Sequence, residues 1–417
     1  MSLEIKPSLH QSAYLAGQAQ TIYALLDFQP NGVAGRLPLD LRLVLDVSGS
    51  MSLPAHAGGK ESKLELLKEA VDQLIGKLEV GDRLMIVTFD DSAETIYDGT
   101  IQDQAQIKKA RKAIARVRCG GGTAMAVGLE AALAEAPLPD RTTRLVVVTD
   151  GETYGQDRCA EIAFEQQGET TWLIYGVGVS YDDAFLDRLA TLNGGPFAHM
   201  SDLDEATEVF CREIAVMGEI AIKQLVVSVE PGPGVAIARA DRIVPQLLPV
   251  GVANPSFLSV DLGDVDRARG QKLLLQLTVP AMAAGDQPLA VIKAGYHVPV
   301  RKLLNQTSEI TLLAGFTADE AAILPDGDVN RTIQLAGASR LTTMGMAEAA
   351  SGQGALGART LASAAAIYQA LGREDLSTKM KTLTSALSTQ GRIGADAEDT
   401  RRTLTTMARQ AWVDPDA

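Results

Sequence analysis

Cysteine is scarce in this chain of 417 residues: only Cys119, Cys159 and Cys211 occur, an odd number and widely spaced. That spacing argues against a disulfide framework and fits reduced thiols in a cytoplasmic compartment. Positive charge is also in deficit, with 38 Lys and Arg against 52 Asp and Glu and a formal net charge of −14. A phosphate backbone or an anionic bilayer wants a basic patch, so nucleic acid and membrane are poor partners for this composition. No uninterrupted apolar run reaches about 18 residues, so no membrane-spanning helix is expected. The opening Met1-Ser-Leu-Glu-Ile-Lys-Pro7 has no apolar core, and no secretory signal is expected there.

The usual carriers of catalysis are missing as well. There is no His-Glu-x-x-His, no Gly-x-x-x-x-Gly-Lys-[Ser/Thr] and no Gly-x-Ser-x-Gly, which removes the standard protease, NTPase and hydrolase readings. His10, His56, His199 and His297 are scattered, and His56 reads as part of a surface loop. The pairs Asp90-Asp91 and Asp182-Asp183 read as loop charges or helix caps rather than acid–base couples. Cys119 has no histidine near it in sequence and reads as a small buried thiol. A non-catalytic protein is expected.

What the chain does contain is a recurring strand end that carries oxygen. Leu41-Arg-Leu-Val-Leu-Asp46-Val-Ser48-Gly-Ser50-Met-Ser52 is a short apolar run suited to a strand buried on both faces, followed by a carboxylate and hydroxyls on alternate residues. Arg118-Cys-Gly120-Gly121-Gly122-Thr123 is a glycine loop that delivers a hydroxyl just before a helix pattern beginning near Ala124. Arg144-Leu-Val-Val-Val-Thr-Asp150-Gly151-Glu152 repeats the first logic, with a β-branched run ending in a carboxylate. Hard oxygens gathered from three loops describe a site for Mg²⁺, Mn²⁺ or Ca²⁺.

Asp46-x-Ser48-x-Ser50, then Thr123, then Asp150 resembles the metal-ion-dependent adhesion site of von Willebrand factor A domains. The resemblance spans about residues 38–217 and matches all five positions of the family pattern. It implies an α/β fold with a doubly wound, mostly parallel, Rossmann-like sheet. It also implies a divalent cation held by Asp46, Ser48, Ser50, Thr123 and Asp150, with one position left for a Glu or Asp carboxylate of a protein partner. Few carboxylates and several hydroxyls favour Mg²⁺, with Mn²⁺ or Ca²⁺ as alternatives. Within 38–217, alternating strands and helices fit this fold, including a helix over 63–78 and another opening at Ser201 or Asp202 and running toward Met217.

Outside that region the pattern changes. Strand-like stretches at 4–9 and 20–28 precede it, and apolar alternation returns after Gly218 through about residue 313. One β-sandwich built from residues 1–37 plus 218–313, with the α/β domain inserted, is the economical arrangement. Residues 317–417 read as a helical domain, with helices over 328–350, 356–371, 374–387 and 396–411 and Trp412 as a packing anchor. Two functions are expected to compete. One is an adaptor that captures a partner's acidic residue through the metal; the other is a subunit serving a separate AAA+ ATPase, as in the von Willebrand factor A subunits of metal chelatases.

Overall fold

The computed structural model describes residues 2–32, 35–54, 61–138, 141–150, 153–166, 170–177, 182–193, 195, 197–200, 220–390, 404 and 407–408. The expected helix toward Met217, the loop holding His56, and most of the last helix with Trp412 lie outside these residues. The chain forms two compact units, one of residues 34–220 and one of residues 1–33 with 221–417. Among the described residues no helix is long and apolar enough to cross a membrane.

Three strands come first: β1 (Leu3–Leu9), β2 (Tyr14–Leu15) and β3 (Gln20–Pro30). The α/β unit follows with β4 (Leu39–Asp46), α1 (Lys63–Ile75), β5 (Arg83–Phe89), β6 (Ala93–Thr100), α2 (Gln104–Arg116) and α3 (Met125–Leu133). It continues through β7 (Thr142–Thr149), α4 (Gln156–Glu165), β8 (Thr171–Val177), α5 (Asp183–Leu192) and β9 (Phe197–Met200). Its six-stranded sheet runs β6-β5-β4-β7-β8-β9, parallel except for the antiparallel edge β6.

Successive residues of the central strands face opposite cores, as a two-sided sheet demands. Leu41, Leu43 and Leu45 of β4 join Val146 and Val148 of β7 under α1 and α2. Val44 joins Leu145 and Val147 under α3, α4 and α5. Every residue of β4 and β7 is buried. Two devices set the helices at defined heights. A capping box between Ser62 and Glu65 starts α1. At the far end of α3, the buried Arg42 guanidinium pairs with Asp40 at 2.8 Å and donates to the carbonyls of Ala132 and Glu135 at 2.9 and 2.6 Å. A cation there complements the helix dipole.

The chain leaves β4 for β5 and β6 on one side of it, then crosses back from β6 to β7 on the other side. The carboxyl ends of β4 and β7 therefore flank the point where the winding reverses, the usual location of a ligand crevice.

The second unit is a sandwich. Its later strands are β10 (Ile220–Pro231), β11 (Ala236–Val244), β12 (Leu248–Val250), β13 (Leu258–Asp266), β14 (Gln271–Val279), β15 (Gly285–Val298) and β16 (Leu303–Thr317). Two five-stranded sheets form, β1-β3-β14-β11-β12 and β13-β10-β15-β16-β2, so β3 and β2 pair with β14 and β16 of the later segment and β1 pairs with β3. Helices α6 (Gly327–Ala350), α7 (Gly354–Ala370) and α8 (Glu374–Gln390) complete it. The sequence leaves open whether these helices cover the sandwich or form a separate partner surface. In the structure Leu335, Leu361, Tyr368 and Leu383 share one apolar cluster with Leu25, Val244 and Leu274, so the helices cover a face of the first sheet and belong to its unit.

Candidate metal centre

The site begins where β4 ends. Asp46 is fully buried, and both carboxylate oxygens are held: Oδ1 accepts from the Ser48 N–H at 2.8 Å and Oδ2 from the Thr149 hydroxyl at 2.7 Å. Thr149 closes β7, one step past the Leu45–Val148 register pair, so the parallel ladder itself brings the two strand ends together. Burial pushes the Asp46 carboxyl above its ordinary range. Bonds from Ser48 and Thr149 pull it back, and the nearby Asp150 charge raises it further.

Beyond Asp46 the chain curls into a 3₁₀ turn over Gly49–Ser52. This places the hydroxyls of Ser48 and Ser50 3.0 Å apart. Ser50 spends its only proton on Asp150, donating to Oδ1 at 2.8 Å. The other oxygen of Asp150 receives the Lys63 ammonium at 2.6 Å. Four of the five expected residues are thus linked through a short polar chain, Asp46 by way of the Ser48 backbone.

Thr123 follows the glycine loop, which is tied to the turn after β4. Gly120 N–H donates to the Val47 carbonyl at 2.9 Å, and Gly49 N–H donates to the Gly121 carbonyl at 3.2 Å, so this loop and the turn after β4 are bonded together. Of the three glycines only Gly121 has a positive φ, at 65°, fewer than the loop's composition suggested. Space explains Gly122, where a Cβ would sit 2.5 Å from Asp91 Oδ1. Asp91 accepts the Gly122 N–H at 2.9 Å and the Asp90 carbonyl accepts the Ala124 N–H at 2.7 Å, so this acidic pair braces the loop. Asp182, from the other pair, caps α5 through the Phe185 N–H.

The loop after β7 fixes Thr123 from the other side. Thr153 Oγ1 and Tyr154 N–H both donate to its carbonyl at 3.0 Å, while Thr153 Oγ1 also accepts from Met125 N–H at the start of α3. The Thr123 side chain is nearly buried, and its hydroxyl has no hydrogen-bond partner among the described residues. Gly151 and Glu152 lie outside them. Leu53 and Tyr154, 55% and 66% exposed, stand at the outer ends of the two loops.

The donor set suits a hard divalent cation. Neighbouring ligands on an octahedron with bonds of about 2.1 Å lie about 3.0 Å from each other, the separation of the two serine hydroxyls. Among the described residues no group of three or more His, Cys, Asp and Glu is placed to hold a metal. The cluster offers two carboxylates and three hydroxyls instead, a set that leans away from zinc and toward oxygen-loving ions. Burial pushes the Cys119 thiol up, away from the thiolate; Lys68 pulls it down, and the charges of Asp46 and Asp150 raise it.

Several residues of the site were not singled out from sequence. Thr149 and Thr153 looked like ordinary strand-end and loop residues. Lys63 looked like the first position of an amphipathic helix, and only its burial marks it out.

Comparison with known proteins agrees with this architecture. Residues 41–152 match the von Willebrand factor type A domain. Over 284 residues the chain is 28% identical to an uncharacterized protein of Synechocystis, covering 66% of this chain and 65% of that one. It is 26% identical over 255 residues to the uncharacterized protein YfbK of Escherichia coli, covering 59% of this chain and 42% of that one. The chain thus spans less than two thirds of the length of either relative. Among solved structures, a von Willebrand factor type A protein from Catenulispora acidiphila superposes with a TM-score of 0.74 at 17% identity, over 98% of this chain and 96% of that one. The ArnB paralog VWA2 from Sulfolobus acidocaldarius follows with 0.60 at 15% identity, over 99% and 100%. At such identities the likeness is one of fold. Residues 41–152 thus match a von Willebrand factor type A domain in sequence, and the sheet of this unit has the fold of such a domain, a type of protein-interaction module.

Proposed function

We propose that this protein is a metal-dependent binding module of the cytoplasm, without catalytic activity, that recognises an acidic side chain on a partner protein. Asp46, Ser48, Ser50, Thr123 and Asp150 would hold the ion, Mg²⁺ in the first place and Mn²⁺ or Ca²⁺ as substitutes. One observation carries the reading: two serine hydroxyls at octahedral spacing, 3.0 Å apart, backed by carboxylates that end adjacent central strands. A bound divalent ion would supply an electrophilic centre with a coordination position open to an outside carboxylate.

The residues divide the work. Ser48, Ser50 and Thr123 present neutral oxygens, so the charge of the site stays small and the ion stays attractive to an anion. Asp150 orients the Ser50 hydroxyl, and Asp46 fixes the Ser48 backbone from which the neighbouring hydroxyl projects. Leu53 and Tyr154 give the rim exposed apolar surface of the kind that protein contacts use. The free thiols of Cys119 and Cys159 accord with a reducing compartment.

Selection from a displayed peptide library tests this. In Mg²⁺ the protein is expected to enrich sequences with an invariant Glu or Asp and to lose them when Gln or Asn is substituted. EDTA, or Thr123→Ala, is expected to abolish the enrichment. Selection that persists unchanged in chelator contradicts the proposal.

A further inference from the structure

Lys63 stands outside the five expected metal-holding residues, yet its ammonium sits 2.6 Å from Asp150 Oδ2, with 8% of the lysine side chain and none of the aspartate exposed. A lysine so placed is held on purpose by its backbone. It is the first residue of α1, inside the Ser62–Glu65 capping box and next to the N-cap, and its own N–H donates to the Leu53 carbonyl at 3.0 Å. The helix start, the 3₁₀ turn and the carboxylate are therefore one rigid assembly, and the ammonium cannot swing to solvent without giving up the only buried ion pair of the cluster among the described residues.

We infer that Lys63 is a built-in counter-cation that weakens the site's own hold on a divalent ion and so couples metal binding to the arrival of the partner's carboxylate; this rests on the metal-binding reading above. Charge counting gives the reason. Asp46, Asp150 and Lys63 together carry one net negative charge. A divalent ion makes that one net positive, and a partner carboxylate brings it to zero. Without Lys63 the same three states carry two negative charges, none, and one negative. The lysine thus moves the electrically neutral state from metal alone to metal plus carboxylate. In a site this buried, where like charges are poorly screened, the difference is felt strongly. Because coupling is reciprocal, the carboxylate tightens the metal by the same factor as the metal tightens the carboxylate.

Titration of the intact chain with Mn²⁺, followed by electron paramagnetic resonance at constant ionic strength, tests this with acetate as the carboxylate probe and chloride as its control. In chloride, Lys63→Met is expected to bind Mn²⁺ at least tenfold more tightly than the wild type, and Lys63→Arg is expected to stay weak. Acetate is expected to tighten Mn²⁺ several-fold in the wild type and in Lys63→Arg, and less in Lys63→Met. Equal or weaker Mn²⁺ binding by a Lys63→Met protein whose circular dichroism is native overturns the inference. So does a wild type indifferent to acetate, a result that needs no variant to fold. If neither protein binds Mn²⁺, or Asp150→Ala binds as the wild type does, the metal site itself falls, and the inference falls with it.

Discussion

Ser50 shows how much one hydroxyl can carry. Its proton is committed to Asp150, and its lone pairs face the Ser48 hydroxyl at 3.0 Å. Ser50→Ala removes a charge-assisted bond from a buried carboxylate, a loss of about 1.5–3 kcal/mol. In thermal unfolding in EDTA the variant is expected to melt a few degrees lower. Unchanged melting would mean the Ser50–Asp150 bond contributes nothing to the resting site. At this scale the sequence was legible wherever a residue's chemistry announced itself. Asp46, Ser48 and Ser50 sit on alternate positions after an apolar run, and the structure joins them to Asp150 in one polar chain. Lys63 and Thr149 did not announce themselves, because each matters through a bond to a residue 87 or 103 positions away. Asp90 and Asp91 were visible as a pair, but their work of bracing the glycine loop depends on where that loop returns.

Among the elements, helix–helix contact through glycine gives a sharp contrast. In α7 a Cβ at Gly357 would meet the Gly345 carbonyl at 2.6 Å and the Ala349 nitrogen at 3.0 Å, both backbone atoms of α6. These cannot step aside as a side chain can, so Gly357→Ala must push the helices apart. The expected cost is about 1–3 kcal/mol, more than the gain in helix propensity. In α6 itself, Gly337 faces only the end of Arg340, at 3.9 Å. There the propensity gain stands alone, and Gly337→Ala is expected to stabilise by about 0.5–1 kcal/mol. Chemical denaturation of the two variants reads this directly, and a shift of both in the same direction would contradict the packing described. Elements with a strong period were legible in the sequence, as Leu67, Val71 and Leu74 of α1 illustrate. The edge strand β6 was not, since Ala93-Glu-Thr-Ile-Tyr-Asp-Gly-Thr100 is half exposed and carries charges that blunt a free edge. β16 proved longer than its apolar core over 309–313, because the hairpin with β15 extends its pairing to both sides.

For the whole molecule, the decisive feature is one chain wound into two units, with the α/β unit placed between the third and later strands of a sandwich. Sequence reading reached the interruption because helical and strand periods change abruptly near residues 38 and 218. It left two roles open for the last helices, covering the sandwich or meeting a partner, since their Ala-rich faces carry no sign of what they cover; the shared cluster with Leu25, Val244 and Leu274 shows the cover. The central claim belongs to the inserted unit, where the winding reverses between β4 and β7 and oxygen-bearing residues sit on the loops that follow. Anomalous diffraction from crystals of the intact chain soaked in Mn²⁺ tests it most directly. The account predicts a single strong peak about 2.1 Å from the hydroxyl oxygens of both Ser48 and Ser50, lost in Asp150→Ala. A native crystal with no peak between those hydroxyls, or with its manganese elsewhere, would contradict it.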